Sequence, residues 1–167
     1  ASKTTWSNIY RDSLYPGMPN YNKFSSGQEL GTNFIPTETD VSIRPGWYYH
    51  PEEDDKVKSL NKLIDIYFNS IGLNSSLLLN IPVDKRGLIH ENDAKSMLEL
   101  GQYLKNTFNN NLIKESKITY NGNSHPINKI TDKKINTFSA LNSKKNNYIT
   151  ISLNEKKVAD VFAVSEN

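Results

Sequence analysis

The period of hydrophobic and polar positions changes several times along the chain, and each change marks an element. Residues 1–30 show no period. They are rich in Ser, Tyr, Asn, Gly and Pro, with a turn cluster at Tyr15-Pro16-Gly17-Met18-Pro19. This predicts a long loop, a feature that in compact proteins is functional or disordered. The aromatics Trp6, Tyr10, Tyr15, Tyr21 and Phe24 argue for order. Thr32 to Ile43 predicts an extended segment interrupted by Pro36, with polar and apolar residues alternating over Asp40-Val41-Ser42-Ile43-Arg44. Arg44-Pro45-Gly46 then predicts a turn.

A helix is expected next. Pro51 suits a first helical position, and Glu52, Glu53, Asp54 and Asp55 set four carboxylates against the positive end of the helix dipole. Val57, Leu60, Ile64, Tyr67 and Ile71 fall on one face, which Leu63 and Phe68 widen, and Gly72 is placed to end the helix in the left-handed conformation. The unalternating run Ser75-Ser76-Leu77-Leu78-Leu79-Asn80-Ile81-Pro82 reads as a parallel strand buried on both faces. A second amphipathic helix starts near Asn92, with Ala94, Met97, Leu98, Gly101, Leu104 and Phe108 along its inner side. Strand, helix, strand, helix predicts an α/β layer with a parallel sheet.

Beyond Asn109-Asn110-Asn111 the pattern becomes one of short β-like runs: Ile118-Thr119-Tyr120, Tyr148 to Leu153, and Val158 to Val164. Asn121-Gly122-Asn123 and Asn142-Ser143 are the turn signals between them. We therefore divide the chain at 110 into an α/β part, 1–110, and an antiparallel β part, 111–167. Two βα units are a fraction of an eight-unit barrel, and 57 residues are few for an eight-stranded jelly roll. The expectation is a C-terminal or internal portion of a larger protein, its missing N-terminal part being the natural partner of the exposed sheet edge.

Composition adds mainly exclusions. No apolar run approaches the length of a membrane span, and there is no cysteine for a disulfide or thiolate metal site. Twenty basic and 18 acidic residues leave +2, too balanced to argue for nucleic acid or an anionic membrane. The 17 Lys, 3 Arg and 22 Asn fit an AT-rich genome. Nucleotide-binding glycine motifs, H-E-x-x-H and G-x-S-x-G are absent, and His50, His90 and His125 have no ligand spacing, so no metal site is expected.

The informative stretch is Pro36-Thr37-Glu38-Thr39-Asp40-Val41-Ser42-Ile43-Arg44-Pro45-Gly46-Trp47-Tyr48-Tyr49-His50. Acids, an arginine and a run of rings between a strand and a helix start are what a sugar site at a barrel mouth would use. Carboxylates bond sugar hydroxyls, and ring faces pack on the apolar side of the sugar. The same residues admit a buried Arg–Glu ion pair and core aromatics.

This stretch, with the acidic helix and Asn74-Ser75-Ser76-Leu77-Leu78-Leu79-Asn80-Ile81-Pro82, resembles the α-L-fucosidases of glycoside hydrolase family 29, closest to the subgroup acting on branched α-1,3/1,4-linked fucose. Asp84 to Leu88 and Leu98-Glu99-Leu100-Gly101 continue the similarity. Ile130-Thr131-Asp132-Lys133, Thr137-Phe138-Ser139-Ala140, Ile149–Leu153 and Val161–Glu166 resemble the family's C-terminal β-sandwich.

The resemblance implies the last βα units of a (β/α)8-like barrel followed by part of a jelly-roll-like sandwich. It implies a bacterial, secreted or periplasmic retaining enzyme that needs no cofactor and cleaves α-linked L-fucose from fucosylated oligosaccharides or glycoconjugates. Its aspartate nucleophile would lie upstream. Its acid/base glutamate would fall just before Ala1 if Trp6-Ser7 matches the family's Trp-Ser pair. Trp47 would line the fucose pocket near the sugar's methyl group, with Glu38 and Arg44 as further substrate-binding groups and Glu38 the local candidate for a catalytic carboxylate. The alternative is a non-catalytic carbohydrate-binding or structural module in 111–167. Its aromatics Tyr120, Phe138, Tyr148 and Phe162 would serve as a platform in the first case and as core in the second.

Overall fold

Two neighbouring parallel strands cannot be joined by a tight turn, so the chain between them must cross over. That constraint shapes the first half of the molecule. In the computed structural model, β3 (Glu38–Ser42) pairs in parallel with β4 (Ser76–Asn80), Glu38 opposite Ser76 and Ser42 opposite Asn80. The crossover carries helix α1 (Leu60–Ser70), and α2 (Glu91–Asn109) follows β4. The structure describes residues 8–10, 15, 17–19, 28, 30–114, 116–120, 127–132, 134, 136–137, 148–159 and 161–163. The chain divides into two compact units, Ala1–Gln102 and Tyr103–Asn167.

Part of the expected N-terminal loop is a strand. β1 (Asn8–Ile9) pairs antiparallel with β2 (Asn33–Phe34), and Ile9 is buried. Met18 N donates to Tyr15 O at 3.2 Å, and Gly17 has φ +84°, the left-handed conformation that glycine adopts without steric cost in a turn. Trp6, Tyr21 and Phe24 lie outside the described residues, as do Asn121-Gly122-Asn123 and Asn142-Ser143.

The helix expected from Pro51 forms in two pieces. Pro51–Glu53 make one 3-10 turn with proline in its first position, and α1 opens only at Leu60, where Ser59 Oγ accepts from Lys62 N at 3.4 Å. The interruption has a local cause. Lys58 N donates to Ile43 O, and Lys58 Nζ to Ser42 O and Arg44 O. The backbone before α1 is thus bonded to the loop after β3 instead of continuing a helical ladder. Leu63 lies at the buried centre of α1.

The left-handed residue after α1 is Asn74 (φ 69°, ψ 29°), not Gly72, because a 3-10 turn over Ile71–Leu73 extends the helix before the chain reverses. Asparagine tolerates this conformation because its short polar side chain can bond locally. Nor is β4 buried on both faces. Leu77 and Leu79 are half-buried, whereas Leu78 is 51% exposed. Thr39 and Val41, their partners on β3, share a cavity with Ile66 of α1, so that face lies toward the helix. Asp40 and Leu78, paired with each other on the two strands, are exposed. On α2 Asp93 and Leu100 are buried, and Met97 and Leu104, in phase with them, are half-buried; Leu98, expected inside, is largely exposed because it sits about a third of a turn off that line.

In the second unit β5 (Lys117–Tyr120) pairs antiparallel with β6 (Ile149–Ser152), Ile118 opposite Ile151. Asp132 accepts from Lys134 N at 2.9 Å and from Thr137 Oγ1 at 2.7 Å, bonds that hold its carboxyl below the usual aspartate range. The described residues of Val158 to Val164 form no strand. Tyr148 and Phe162, placed in the core by one sequence reading, are 63% and 73% exposed.

The turn after α1 gives a direct check. A Cβ on Gly72 would meet Phe68 at 3.5 Å, an ordinary contact, so Gly72→Ala should be neutral or stabilising by about 0.4–1 kcal/mol. Asn74→Ala should cost about 1–2 kcal/mol and Asn74→Gly little. Urea denaturation of the three variants separates these outcomes.

Candidate functional site

The loop after β3 is anchored by a cation inside the protein. Arg44 has no exposed surface, and a buried guanidinium must be fully paired or it is strongly destabilising. Its Nε donates to Asp93 Oδ1 at 3.0 Å and its Nη2 to Asp93 Oδ2 at 2.7 Å, the two-toothed geometry that suits a planar fork on a carboxylate. Nη2 lies 2.9 Å from Asp54 Oδ1, and Nη1 donates to His50 O at 3.3 Å. The Tyr49 ring lies 4.8 Å from the guanidinium carbon. Asp93 sits in the first turn of α2 and is itself fully buried, so the bond ties that helix to the loop. The hydrogen bond to Asp93 holds the Arg44 pKa above its already high ordinary value.

Around this pair several of the loop's backbone groups are bonded. Ile43 N donates to Asn80 O and Ile43 O accepts from Lys58 N, both at 2.9 Å. Lys58 Nζ reaches Ser42 O at 2.7 Å and Arg44 O at 3.1 Å; burial lowers its pKa. Asn80 Nδ2 donates to Trp47 O at 3.0 Å and Ser42 Oγ at 3.0 Å. Trp47 itself is 50% exposed. The result is a half-exposed aromatic side chain on a backbone bonded at several points.

A second cluster lies on the loop between β4 and α2. Asp84, nearly buried, accepts from Arg86 Nε and Arg86 N at 2.8 Å and from Leu88 N at 3.3 Å, and Arg86 Nη2 reaches Glu91 Oε1 at 2.8 Å. The Arg86 side chain is the main cause holding the Asp84 carboxyl below its usual range. Gly87 takes φ +76° to close the turn. A cavity of about 290 Å³ lies here, lined by Tyr49, Asp84, Lys85, Arg86, His90 and Glu91. His90 Nε2 lies 3.4 Å from Asp54 Oδ2, and Tyr49 Oη donates to the same oxygen at 3.3 Å.

The three sequence candidates therefore occupy different places. Trp47 and Arg44 share one loop at the C-terminal end of β3, Trp47 half-exposed and Arg44 fully buried. Glu38 opens β3, four residues and about 13 Å from Ser42 at the other end of the strand, where it lines a cavity of about 400 Å³ with Thr37, Thr39, Ile66 and Asn69. The buried ion pair considered from sequence exists, but its acids are Asp93 and Asp54, not Glu38. Sequence reading missed Asp93, Lys58 and Asn80. Asp93 left a signal, since it falls in phase with Met97, Leu100 and Leu104, and an acid on the buried face of a helix demands a cation.

A parallel β-α-β layer is common to α/β folds of many functions, and the relatives of the chain narrow the choice. Residues 6–109 match the model of the Alpha-L-fucosidase family, and the chain belongs to that family. It is 38% identical over 116 residues to alpha-L-fucosidase 1 of Arabidopsis thaliana, covering 70% of this chain and 22% of that protein. A crystal structure from Bacteroides thetaiotaomicron, provisionally assigned as an alpha-L-fucosidase, superimposes with a TM-score of 0.79 at 37% identity, over 93% of this chain and 35% of that one. The Ruminococcus gnavus fucosidase solved in complex with fucose has a TM-score of 0.57 at 30% identity, over 72% and 25% of the two chains. The chain thus spans about a fifth of the length of its plant relative.

Two stability predictions follow from the ion pairs. Asp93→Asn leaves Arg44 buried without its main partner and should cost about 3–5 kcal/mol in urea unfolding; Asp54→Asn, whose side chain is partly exposed, should cost less. For Asp84 the folded pKa lies below the unfolded one, so its contribution is full above about pH 4 and is lost as the pH falls below that. The stability gap between the wild type and Asp84→Asn should be constant from pH 7 to 5 and narrow toward pH 3.

Proposed function

We propose that this chain is the C-terminal part of the catalytic barrel of a retaining α-L-fucosidase, followed by the start of its β-sandwich, and that the whole enzyme removes terminal α-linked L-fucose from glycans. The observation that carries the reading is Trp47: a half-exposed indole at the strand end of a parallel layer, on a loop fixed by a buried ion pair. Fucose, a deoxy sugar with a methyl group, presents apolar surface that such an indole face would cover. Family membership and the fucose complex of the Ruminococcus gnavus relative support the choice of sugar.

In the retaining mechanism an aspartate attacks the anomeric carbon while a glutamic acid protonates the departing oxygen, and the same glutamate then deprotonates the water that releases the sugar. We assign both carboxylates to the remainder of the enzyme. The position of Glu38 at the opposite end of β3 from Trp47 supports leaving it out of the chemistry. Arg44 acts beneath the pocket by holding the loop, and Trp47 binds. We place the enzyme in a secreted or periplasmic bacterial setting, where fucosylated glycans are its partners. A second reading, a carbohydrate-binding module in 111–167, draws on the exposed rings of Tyr148 and Phe162. Isothermal titration with L-fucose distinguishes them, because binding that survives Trp47→Ala and is lost in Tyr148→Ala would locate the sugar in the second unit.

Two assays test the main reading. The purified chain alone should release no aglycone from an aryl α-L-fucoside; measurable turnover would overturn the assignment and return Glu38 and Asp40 to candidacy. In the complete enzyme, Trp47→Ala should lower kcat/KM roughly ten- to a hundredfold, the equivalent of about 1.5–3 kcal/mol of lost apolar contact.

A further inference from the structure

We infer that Asn80 is a positioning residue for the sugar pocket, acting through Trp47; the inference rests on the proposal that Trp47 contacts the sugar. Asn80 is the last residue of β4, and it holds the neighbouring loop in two ways. Its backbone carbonyl accepts from Ile43 N at 2.9 Å, where the loop leaves β3. Its side-chain amide donates to Trp47 O at 3.0 Å, four residues further on. One residue therefore fixes both ends of the arc Ile43–Trp47.

The chemistry of the two partners sets the orientation of the amide. Trp47 O is a carbonyl and can only accept, so the group facing it must be a donor, which assigns Nδ2 to that side. The other Nδ2 proton goes to Ser42 Oγ at 3.0 Å, which braces the amide against β3. Between these points Arg44 is buried and paired with Asp93, and the Asn80 bond holds the Trp47 carbonyl. No other side-chain hydrogen bond to the Trp47 backbone is seen among the described residues. A misplacement of the order of 1 Å in a group that orients substrate can cost as much as a hundredfold in rate, so a bond of this kind has functional weight beyond its own strength.

The discriminating variant is Asn80→Asp. It keeps the shape and an acceptor for the Ser42 hydroxyl, but sets a carboxylate against the Trp47 carbonyl. Two readouts are required. In the chain carrying Trp6→Phe, Trp47 is the sole tryptophan, and its fluorescence anisotropy decay reports indole motion directly. In the complete enzyme, steady-state kinetics of Asn80→Asp, Trp47→Ala and the double variant form a cycle.

We expect Asn80→Asp to increase the nanosecond mobility of the Trp47 indole while moving the melting temperature by no more than about 2 °C. It should lower kcat/KM about tenfold, mainly through KM. It should add no more than about twofold to the loss already caused by Trp47→Ala. Unchanged indole mobility would overturn the inference, and so would losses from the two substitutions that multiply. If Asn80→Asp frees the indole but Trp47→Ala leaves the kinetics untouched, the positioning contact stands and the sugar role of Trp47 falls.

Discussion

The first unit is organised by the need to keep Arg44 charged in a place without water. Moving a guanidinium out of solvent costs several kcal/mol, and only close, correctly oriented acceptors offset it. Asp93 supplies two oxygens in the plane of the fork, Asp54 a second carboxylate, His50 a carbonyl and Tyr49 a ring face. A set of apolar side chains of equal volume could stabilise the same space as well. What they could not supply is direction: Tyr49, His50 and Asp54 come from the stretch after the loop and Asp93 from α2, and the fork accepts them in one geometry only. The pair therefore specifies where the loop after β3 lies relative to the start of α2.

From that fixed point the exposure of the neighbouring aromatics makes sense. A large apolar side chain in water is ordinary when scattered. It is informative when the backbone that carries it is held at several points, as it is at Ser42, Ile43, Arg44 and Trp47. Rigid support for an exposed indole lowers the ordering cost of binding, because the conformational freedom has already been removed in the free protein. The loop between β4 and α2 is braced separately, by Asp84 and Arg86, so the two strand-end loops of the layer each carry their own internal ion pair.

The alternation of strand and helix, the parallel character of the first sheet and the antiparallel β character of the second unit were legible from hydrophobic period and turn residues; the pairings themselves came from the fold. So was the importance of the Arg44–Trp47 segment. What could not be read was which acid meets the arginine. The acids nearest in sequence, Glu38 and Asp40, lie on the strand, whereas Asp93 is 49 residues away and is brought in only when α2 packs. The broken start of α1 was hidden for a similar reason. Its local signals, proline followed by four carboxylates, favour a helix, and the competing bonds from Lys58 to the β3 loop exist only in the folded state. Leu98 shows the reverse error: apolar residues near a helical face were all assigned to it, though a polar residue, Asp93, marked the true buried line.

The separation between Arg44 and Asp93 also bears on the order in which the molecule assembles. A contact across 49 residues closes a large loop, and the entropy of that closure must be met before the bond contributes anything. Helices α1 and α2 form from neighbours in sequence on a much shorter timescale, and the β3–β4 pairing can nucleate around α1 without α2. The guanidinium can be desolvated only once its acceptors are in place, which puts the buried pair on the native side of the folding barrier. Weakening it would then quicken unfolding and leave the folding rate nearly unchanged. The loop that presents Trp47 is in this sense a kinetic latecomer: the layer takes its shape first, and the loop on its strand end is fixed last.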